Sequence, residues 1–509
     1  MKSVKNAFFY LLVILILVSC KVENKRLQYT EQHRPQFHFS PPEKWMNDPN
    51  GLVYFEGEYH LFYQFYPDST VWGPMHWGHA VSKDLVHWEN LPVALYPDSL
   101  GYIFSGSAVI DWKNTSGLQT GKNPPMIAIF TQHSEERIKE GRIDFQNQSI
   151  AYSNDKGRTF LKYSSNPVLL NHWERDFRDP KVSWNASLQK WIMVLAVGQK
   201  VEFYSSANLI KWDYLSDFGR DAGAHGGVWE CPDLFQIKAG DKEKYILIVN
   251  INPGAPNGGS GVQYFVGNFD GKNFINDNPK ETTLWLDYGP DDYAGVTFSD
   301  VPVEDGRRII IGWMSNWAYA TKVPTVKWRS AMTIPRVLEL ADTKSGLRLS
   351  STPVKELEKI RKSKADHILS ADSPFKISGL NEIILDTDMS EGTADEFGLV
   401  FSNNLGEKLI IGYLKQSNQF YIDRTGSGKT SFTQNFSGIH IAPRAETGNN
   451  IKMHMYLDNS SLEMFADGDI ISMTDIFFPN SNFDHLTSFQ KNGKLKSQTC
   501  VIYELSSVW

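Results

Sequence analysis

Hydrophobic and polar positions along this chain alternate in short runs, without long helical periods. From about Gln36 to Leu340, aromatic and β-branched stretches of strand length recur. Examples are Gly51–Phe55, Tyr59–Phe65, Ala108–Asp111, Met126–Thr131, Trp191–Val197, Tyr245–Ile251 and Arg308–Trp313. Turn residues follow each of them. The pattern predicts an all-β chain.

A weak repeat lies on top of this pattern. Val81-Ser82-Lys83-Asp84-Leu85-Val86-His87-Trp88 is echoed by Tyr152–Phe160, by Tyr204–Trp212 and, more loosely, by Gly267–Phe274. Each copy is a strand end, a polar turn and an aromatic. Separations of roughly 50 to 70 residues suit four-stranded propeller blades with insertions. Generic sandwich hairpins are the alternative, and the recurrence favours a propeller. Leu340 to about Ile360 breaks the pattern: Ala341–Gly346 is a turn, and Pro353–Lys364 reads as a short charged helix or linker. Alternating strands then resume from Glu382 to Leu505, most simply as a β-sandwich. The expected division is a propeller over 36–340, a linker over 341–364 and a sandwich over 365–509.

The N-terminus carries Lys2 and Lys5, an apolar run from Ala7 to Val18, then Ser19-Cys20. A basic start, a short apolar stretch and small residues make an export signal. The run is too short for a comfortable membrane span. Leu17-Val18-Ser19-Cys20 resembles a bacterial lipobox, in which Cys20 is lipidated and becomes the mature N-terminus. Residues 1–20 then form the signal peptide and 21–35 a polar tether. The expected product is an exported protein, lipid-anchored at the cell surface or in the periplasm.

A net charge of −7 with no long run of one sign gives no sign of nucleic-acid binding or a polybasic membrane patch. Cys231 and Cys500, the two cysteines beyond Cys20, make neither a disulfide framework nor a zinc spacing. No metal or cofactor is expected. Aromatic content of 13% suits carbohydrate, whose C–H faces stack on rings, although all-β proteins favour aromatics in any case.

Three acids stand in unusual settings. Asp48 lies in Trp45-Met46-Asn47-Asp48-Pro49-Asn50-Gly51, which reads as tight-turn chemistry. Asp179 lies in Arg178-Asp179-Pro180, where the adjacent cation is expected to hold the carboxylate ionised. Glu230 lies in Trp229-Glu230-Cys231-Pro232, where weakly hydrating neighbours are expected to raise its pKa, as a general acid needs. Asp176 and Asp233 are rivals with structural readings. Singly each acid is weak evidence; together they fit glycoside hydrolysis.

These three segments, in this order, resemble the signatures of glycoside hydrolase family 32, the β-fructofuranosidases. Tyr63–Pro67, Trp72–His79, Phe104–Ser107, Gly312–Trp317 and, near the C-terminus, Leu457–Phe465 are also similar to that family. The resemblance implies a five-bladed propeller followed by a β-sandwich, and retaining chemistry. It implies Asp48 as nucleophile, Glu230 as acid/base and Asp179 as transition-state stabiliser. It further suggests a shell around one fructosyl unit. Asn47, Gln64 and Ser105 would hydrogen-bond, Trp72, Phe104 and Trp317 would form apolar walls, and Arg178 would orient Asp179. His76 and His79 are read as structural hydrogen-bonders.

Thr321–Thr325 and Trp328–Arg336 are similar to the bacterial levanase and exo-inulinase branch. Exo-hydrolysis of levan or inulin, possibly also sucrose, is therefore the expected activity. An endo-levanase, a fructosyltransferase and a non-catalytic glycan-binding lipoprotein are the alternatives. Asp287–Gly295 departs from the commoner form of its segment, which has an aromatic before Tyr-Ala, and so leaves the leaving-group side open.

Overall fold

The computed structural model describes residues 29–509, apart from 241 and 370–371. The signal segment, Cys20 and the start of the tether lie outside the described residues. Among those residues the strands form seven sheets. Five are the blades of a propeller, with inner strands Lys44–Phe55, Tyr102–Ile110, Phe177–Asn185, Val228–Ala239 and Tyr293–Thr297. Each inner strand packs beside the next, and the fifth beside the first. Closure is reinforced after the fifth blade begins. Trp328–Arg329 pairs in parallel with the start of the first inner strand, and Ser299 bridges to Val53. Two six-stranded antiparallel sheets then pack face to face as a sandwich.

The repeat seen in the sequence is the turn between the third and fourth strands of blades one to four. In two copies it is held in the same way. Ser82 Oγ accepts from the Asp84 N–H, and Asp84 Oδ1 from Val86 and His87; Ser206 and Asn208 do the same for Asn208, Ile210 and Lys211. Leu85 and Leu209 take φ of 65° and 63°, and each carbonyl accepts an indole N–H three residues on, from Trp88 and Trp212 at 3.1 Å. Side-chain capping of the turn backbone is what makes this stretch recur.

Two expected boundaries sit differently. The turn at 341–346 joins the last two strands of the fifth blade, Arg336–Thr343 and Gly346–Pro353, so most of the expected linker is paired strand. A short 3-10 turn, Lys355–Ile360, leads directly into the sandwich strand Arg361–Ile368. The tether gives way to packed chain at Tyr29. Its ring stacks on Trp509 at 4.1 Å, and Arg34 is fully buried with its guanidinium 3.8 Å over the Trp328 ring.

Propeller and sandwich are joined by buried charges. Arg336, from the fifth blade, donates to Glu463 and Thr474 of the sandwich and to Asp287 and Asp292 of the propeller. His38 bridges Asp458 at 2.7 Å and Glu463 at 2.8 Å. Although burial opposes it, these two acids push His38 up to about 9. Arg424 pairs with Asp291 at 2.6 Å, tying the sandwich to the same propeller loop.

Candidate active site

All five inner strands carry the same irregularity near their first residues. Two residues oppose one on the neighbouring strand: Asn47-Asp48 opposite Gln64, Phe104-Ser105 opposite Thr131, Asp179-Pro180 opposite Leu195, Cys231-Pro232 opposite Val249, and Ala294-Gly295 opposite Gly312. A bulge bends the strand and re-aims its side chains. Repeated five times around the propeller axis, it turns one short stretch of every inner strand towards a common centre. The Asp-Pro segments are therefore strand bulges, where the turns expected from sequence do not form. Proline is tolerated there because a bulge does not need its N–H. Gly51 follows in the same strand at φ 52°, and a Cβ there would lie 2.6 Å from the Phe62 ring.

The three acids converge at this centre. Asp48 accepts from Ser105 Oγ at 2.6 Å and Asn47 Nδ2 at 2.9 Å. Asn47 is itself fixed by the Trp45 indole at 2.8 Å. Asp179 sits at φ 65°; its N–H donates to Thr131 Oγ1, and its Oδ2 accepts the Cys231 N–H, both at 3.0 Å. Glu230 accepts from Arg178 at 2.9 and 3.3 Å through one oxygen and from the Tyr293 hydroxyl through the other. The Cys231 thiol lies between the two aspartates, 3.5 Å from Asp48 and 3.7 Å from Asp179. Burial and the surrounding carboxylates hold it far above the usual thiol range, so it stays a neutral S–H donor.

Electrostatics follow from crowding three carboxylates around one guanidinium. Burial, then Glu230, raises the Asp48 carboxyl. Asp179 is pushed up to about 7: burial dominates, Arg178 pulls down, and Glu230 and Asp48 push back up. This corrects the expectation that its neighbouring arginine holds Asp179 ionised. Arg178 reaches Asp179 only at 3.9 Å and gives its short contacts to Glu230 and Asp176. Nor does Trp229 set the environment of Glu230. Its indole is fully buried among the blades and donates to the Ala224 carbonyl.

Asp179→Asn is expected to stabilise the fold while harming turnover. The folded pKa of Asp179 lies above its unfolded value, so its ionisation costs stability as pH rises from about 4 through 7. The amide removes that cost. Its stability advantage should be small near pH 4 and reach about 4 kcal/mol above pH 7. A pH-independent difference in melting would count against the raised pKa.

The remaining expected shell is partly assembled. Gln64 is buried and donates to Asn50 at 2.7 Å, bracing the first strand from behind. Trp72 is half-exposed and meets Phe104 edge-on at 6.0 Å, while Phe104 stacks on His133 at 4.2 Å. Trp317 packs against Trp45 and Trp313. His76 Nδ1 donates to the Pro74 carbonyl at 2.9 Å, and His79 pairs with His60, both away from the acids. Tyr293, Thr131 and the Cys231 N–H were not foreseen. In Asp287–Gly295 only Tyr293 reaches the acids; Asp287, Asp291 and Asp292 turn to Arg336 and Arg424 at the sandwich. The departure from the commoner form thus lies in the domain interface.

Residues 38–353 match the model of the glycosyl hydrolases family 32 N-terminal domain, and residues 347–504 that of its C-terminal domain. This chain belongs to glycoside hydrolase family 32. It is 48% identical over 492 residues to a levanase of Bacillus subtilis strain 168, covering 94% of this chain and 72% of that protein. It is 37% identical over 521 residues to an extracellular exo-inulinase of Aspergillus awamori, covering 94% of this chain and 96% of the other. The crystal structure of exo-inulinase from A. awamori superimposes with a TM-score of 0.88 at 35% identity, over 94% of this chain and all of that one. A β-fructofuranosidase from Schwanniomyces occidentalis, complexed with fructosyl-erythritol, gives 0.84 at 32% identity, over 94% and 98%. The enzyme is a family 32 glycoside hydrolase with an all-β propeller and sandwich.

Proposed function

We propose that this enzyme is a retaining, exo-acting fructan hydrolase that releases fructose from levan or inulin. The observation that carries the reading is the convergence of Asp48, Asp179 and Glu230 on one centre, each with a different set of partners. The names of the levanase and exo-inulinase relatives support the substrate class.

Asp48 attacks the anomeric carbon of a terminal fructosyl unit. Ser105 and Asn47 hold its carboxylate in line. Glu230 gives its proton to the leaving oxygen, and Tyr293 and Arg178 fix the direction of that carboxyl. The anomeric carbon is then bonded to Asp48, and the leaving sugar departs as an alcohol. Glu230, now ionised, takes a proton from water, and the water displaces Asp48. Asp179 contacts fructose hydroxyls and gains most when positive charge builds on the ring. Proximity couples the acids: after burial, the charge of Glu230 raises Asp48, and those of Glu230 and Asp48 raise Asp179. Asn47, Trp72, Phe104 and Trp317 frame the fructosyl unit.

Tyr293→Phe deletes one donor to Glu230 without changing ring volume. A hydrogen bond to a charged group contributes about 1.5–3 kcal/mol. The variant should therefore show kcat/KM lowered by about 10- to 100-fold on the preferred fructan. Unchanged kcat/KM would remove Tyr293 from the mechanism.

Separate incubations with levan, inulin and sucrose test the activity. Fructose alone fits exo-hydrolysis. Ladders of oligosaccharides would mean endo-cleavage, longer chains would mean transfer, and no change would leave binding only.

The export signal and Cys20 support an exported enzyme carried on a lipid anchor. Cys20→Ala protein that still partitions into detergent as the wild type does would overturn the anchor.

A further inference from the structure

The inner strands start at the acids and end at the opposite mouth of the propeller. There a second cavity of about 380 Å³ opens, lined by the outgoing ends of the second and third inner strands, the middle of the fourth and the segment after the fifth. Small-ligand sites commonly span about 300–1,000 Å³. Lys181 closes the floor towards the acids. Its ammonium lies 3.2 Å from Asp233 Oδ2 and donates to the Thr297 carbonyl. None of the residues given a catalytic role above lines this cavity.

Asp233 is fully buried, and its two oxygens are treated unequally. Oδ2 accepts from the Thr297 N–H at 2.7 Å, from the Thr297 hydroxyl at 2.8 Å and from Lys181. Oδ1 has no partner. An unsatisfied buried acceptor is costly, and a ligand hydroxyl would satisfy it. Arg308 faces the same space with donors to spare. Its guanidinium makes one long bond, 3.4 Å to the Gln236 carbonyl, and rests 5.0 Å over the Phe235 ring.

Aromatic surface completes the site. Trp112 is 58% exposed, yet it is not loose. Its indole N–H donates to Asp300 at 2.9 Å, and its edge meets Phe55 at 5.6 Å. A ring fixed in this way presents an open face at the mouth. Among the charged lining residues, Lys113, Lys181 and Arg308 balance Asp111, Asp233 and Asp300. That balance favours a neutral, polyhydroxylated ligand over an anion or a cation.

We propose that the rear mouth of the propeller is a second, non-catalytic saccharide site that holds a fructan chain on Trp112, Asp233 and Arg308. The choice of fructan rests on the activity proposed above. An enzyme working on chain ends gains from a second hold on the same polymer, because it raises the local concentration of ends at the acids.

The test is native electrophoresis in gels containing levan, inulin or an unrelated glucan. The full chain carries Asp48→Ala so that polymer is not consumed, with Trp112 intact, Trp112→Ala or Trp112→Phe. The Trp112→Ala protein should need about tenfold more fructan for half-retardation, with Trp112→Phe between. With Asp48 restored, Trp112→Ala should raise KM on the polymer and leave kcat/KM on sucrose unchanged. Equal retardation of all three proteins in fructan gels overturns the site. Retardation in glucan alone, lost in Trp112→Ala, overturns the assignment to fructan. Wild-type protein that leaves fructans intact overturns the proposed activity, and the retardation result then still reads the rear site separately.

Discussion

Asp48→Ala protein is expected to lose fructan turnover by at least about 10⁴-fold, the scale on which enzymes lose rate when a covalent nucleophile is removed. The fold should survive. Asp48 is half-buried at a bulge, and its carboxylate is raised by burial and by Glu230, so it does not stabilise the empty site as a free anion. Truncation leaves Ser105 and Asn47 without an acceptor, and Asn47 keeps its bond to the Trp45 indole. Melting close to wild type together with lost turnover is therefore the expected pair of results. Glu230→Gln should differ in kind. It keeps the nucleophile but cannot protonate a poor leaving group, so its loss should shrink on a substrate whose leaving group needs no proton. On such a substrate a fructosyl unit should accumulate on the peptide containing Asp48, visible as one added hexose residue by mass spectrometry after acid quench. Near-normal hydrolysis by Asp48→Ala, or a trapped sugar on Asp179, would overturn the assignment.

The acids were legible in the sequence because each stands within two residues of a proline, a residue with a strong backbone consequence. Pro49, Pro180 and Pro232 mark places where a ladder bond is missing, and a missing ladder bond in a strand-rich chain points to a special position. What sequence could not supply was which direction the bulge sends each side chain. Arg178 is adjacent to Asp179 along the chain. In the fold its guanidinium crosses to Glu230, because alternate residues of a strand face apart and the fourth inner strand lies alongside. Tyr293 joins the acids from far along the chain and shows up only once the fifth blade closes the ring. The propeller itself was visible in the capped turns at Ser82-Asp84 and Ser206-Asn208, since that chemistry is local. The seam between domains was not. Asp287, Asp291 and Asp292 look like an acidic loop of the site, and their cations, Arg336 and Arg424, come from other parts of the chain.

That seam carries the largest expected effect on stability. Arg336 is fully buried with contacts to Glu463, Asp287 and Asp292, and the leucine of Arg336→Leu could satisfy none of them. Breaking one buried ion pair commonly costs about 3–5 kcal/mol, because the partner is left charged and dry. Here Asp287 and Asp292 lose their cation together, and Glu463 keeps only His38, so unfolding stability should fall by at least about that amount. The loss should depend on pH in a defined direction. Burial and neighbouring acids already push Asp292 up to about 8 with Arg336 present. Without the guanidinium, these acids can relieve the strain only by taking protons. Their folded pKa values then lie above unfolded values near 4, so the variant's deficit is smallest at about pH 5 and grows through pH 8. Chemical denaturation of both proteins at those two pH values checks it. Because Arg336 links blade five to the sandwich strand Ser461–Ala466, the variant should also unfold in two steps where the wild type shows one. A deficit that shrinks as pH rises would mean the three acids are not held by Arg336. Adding Asp292→Asn to Arg336→Leu should recover part of the loss at pH 8, since one orphaned charge is gone. It should recover little at pH 5, where that carboxyl can already hold a proton.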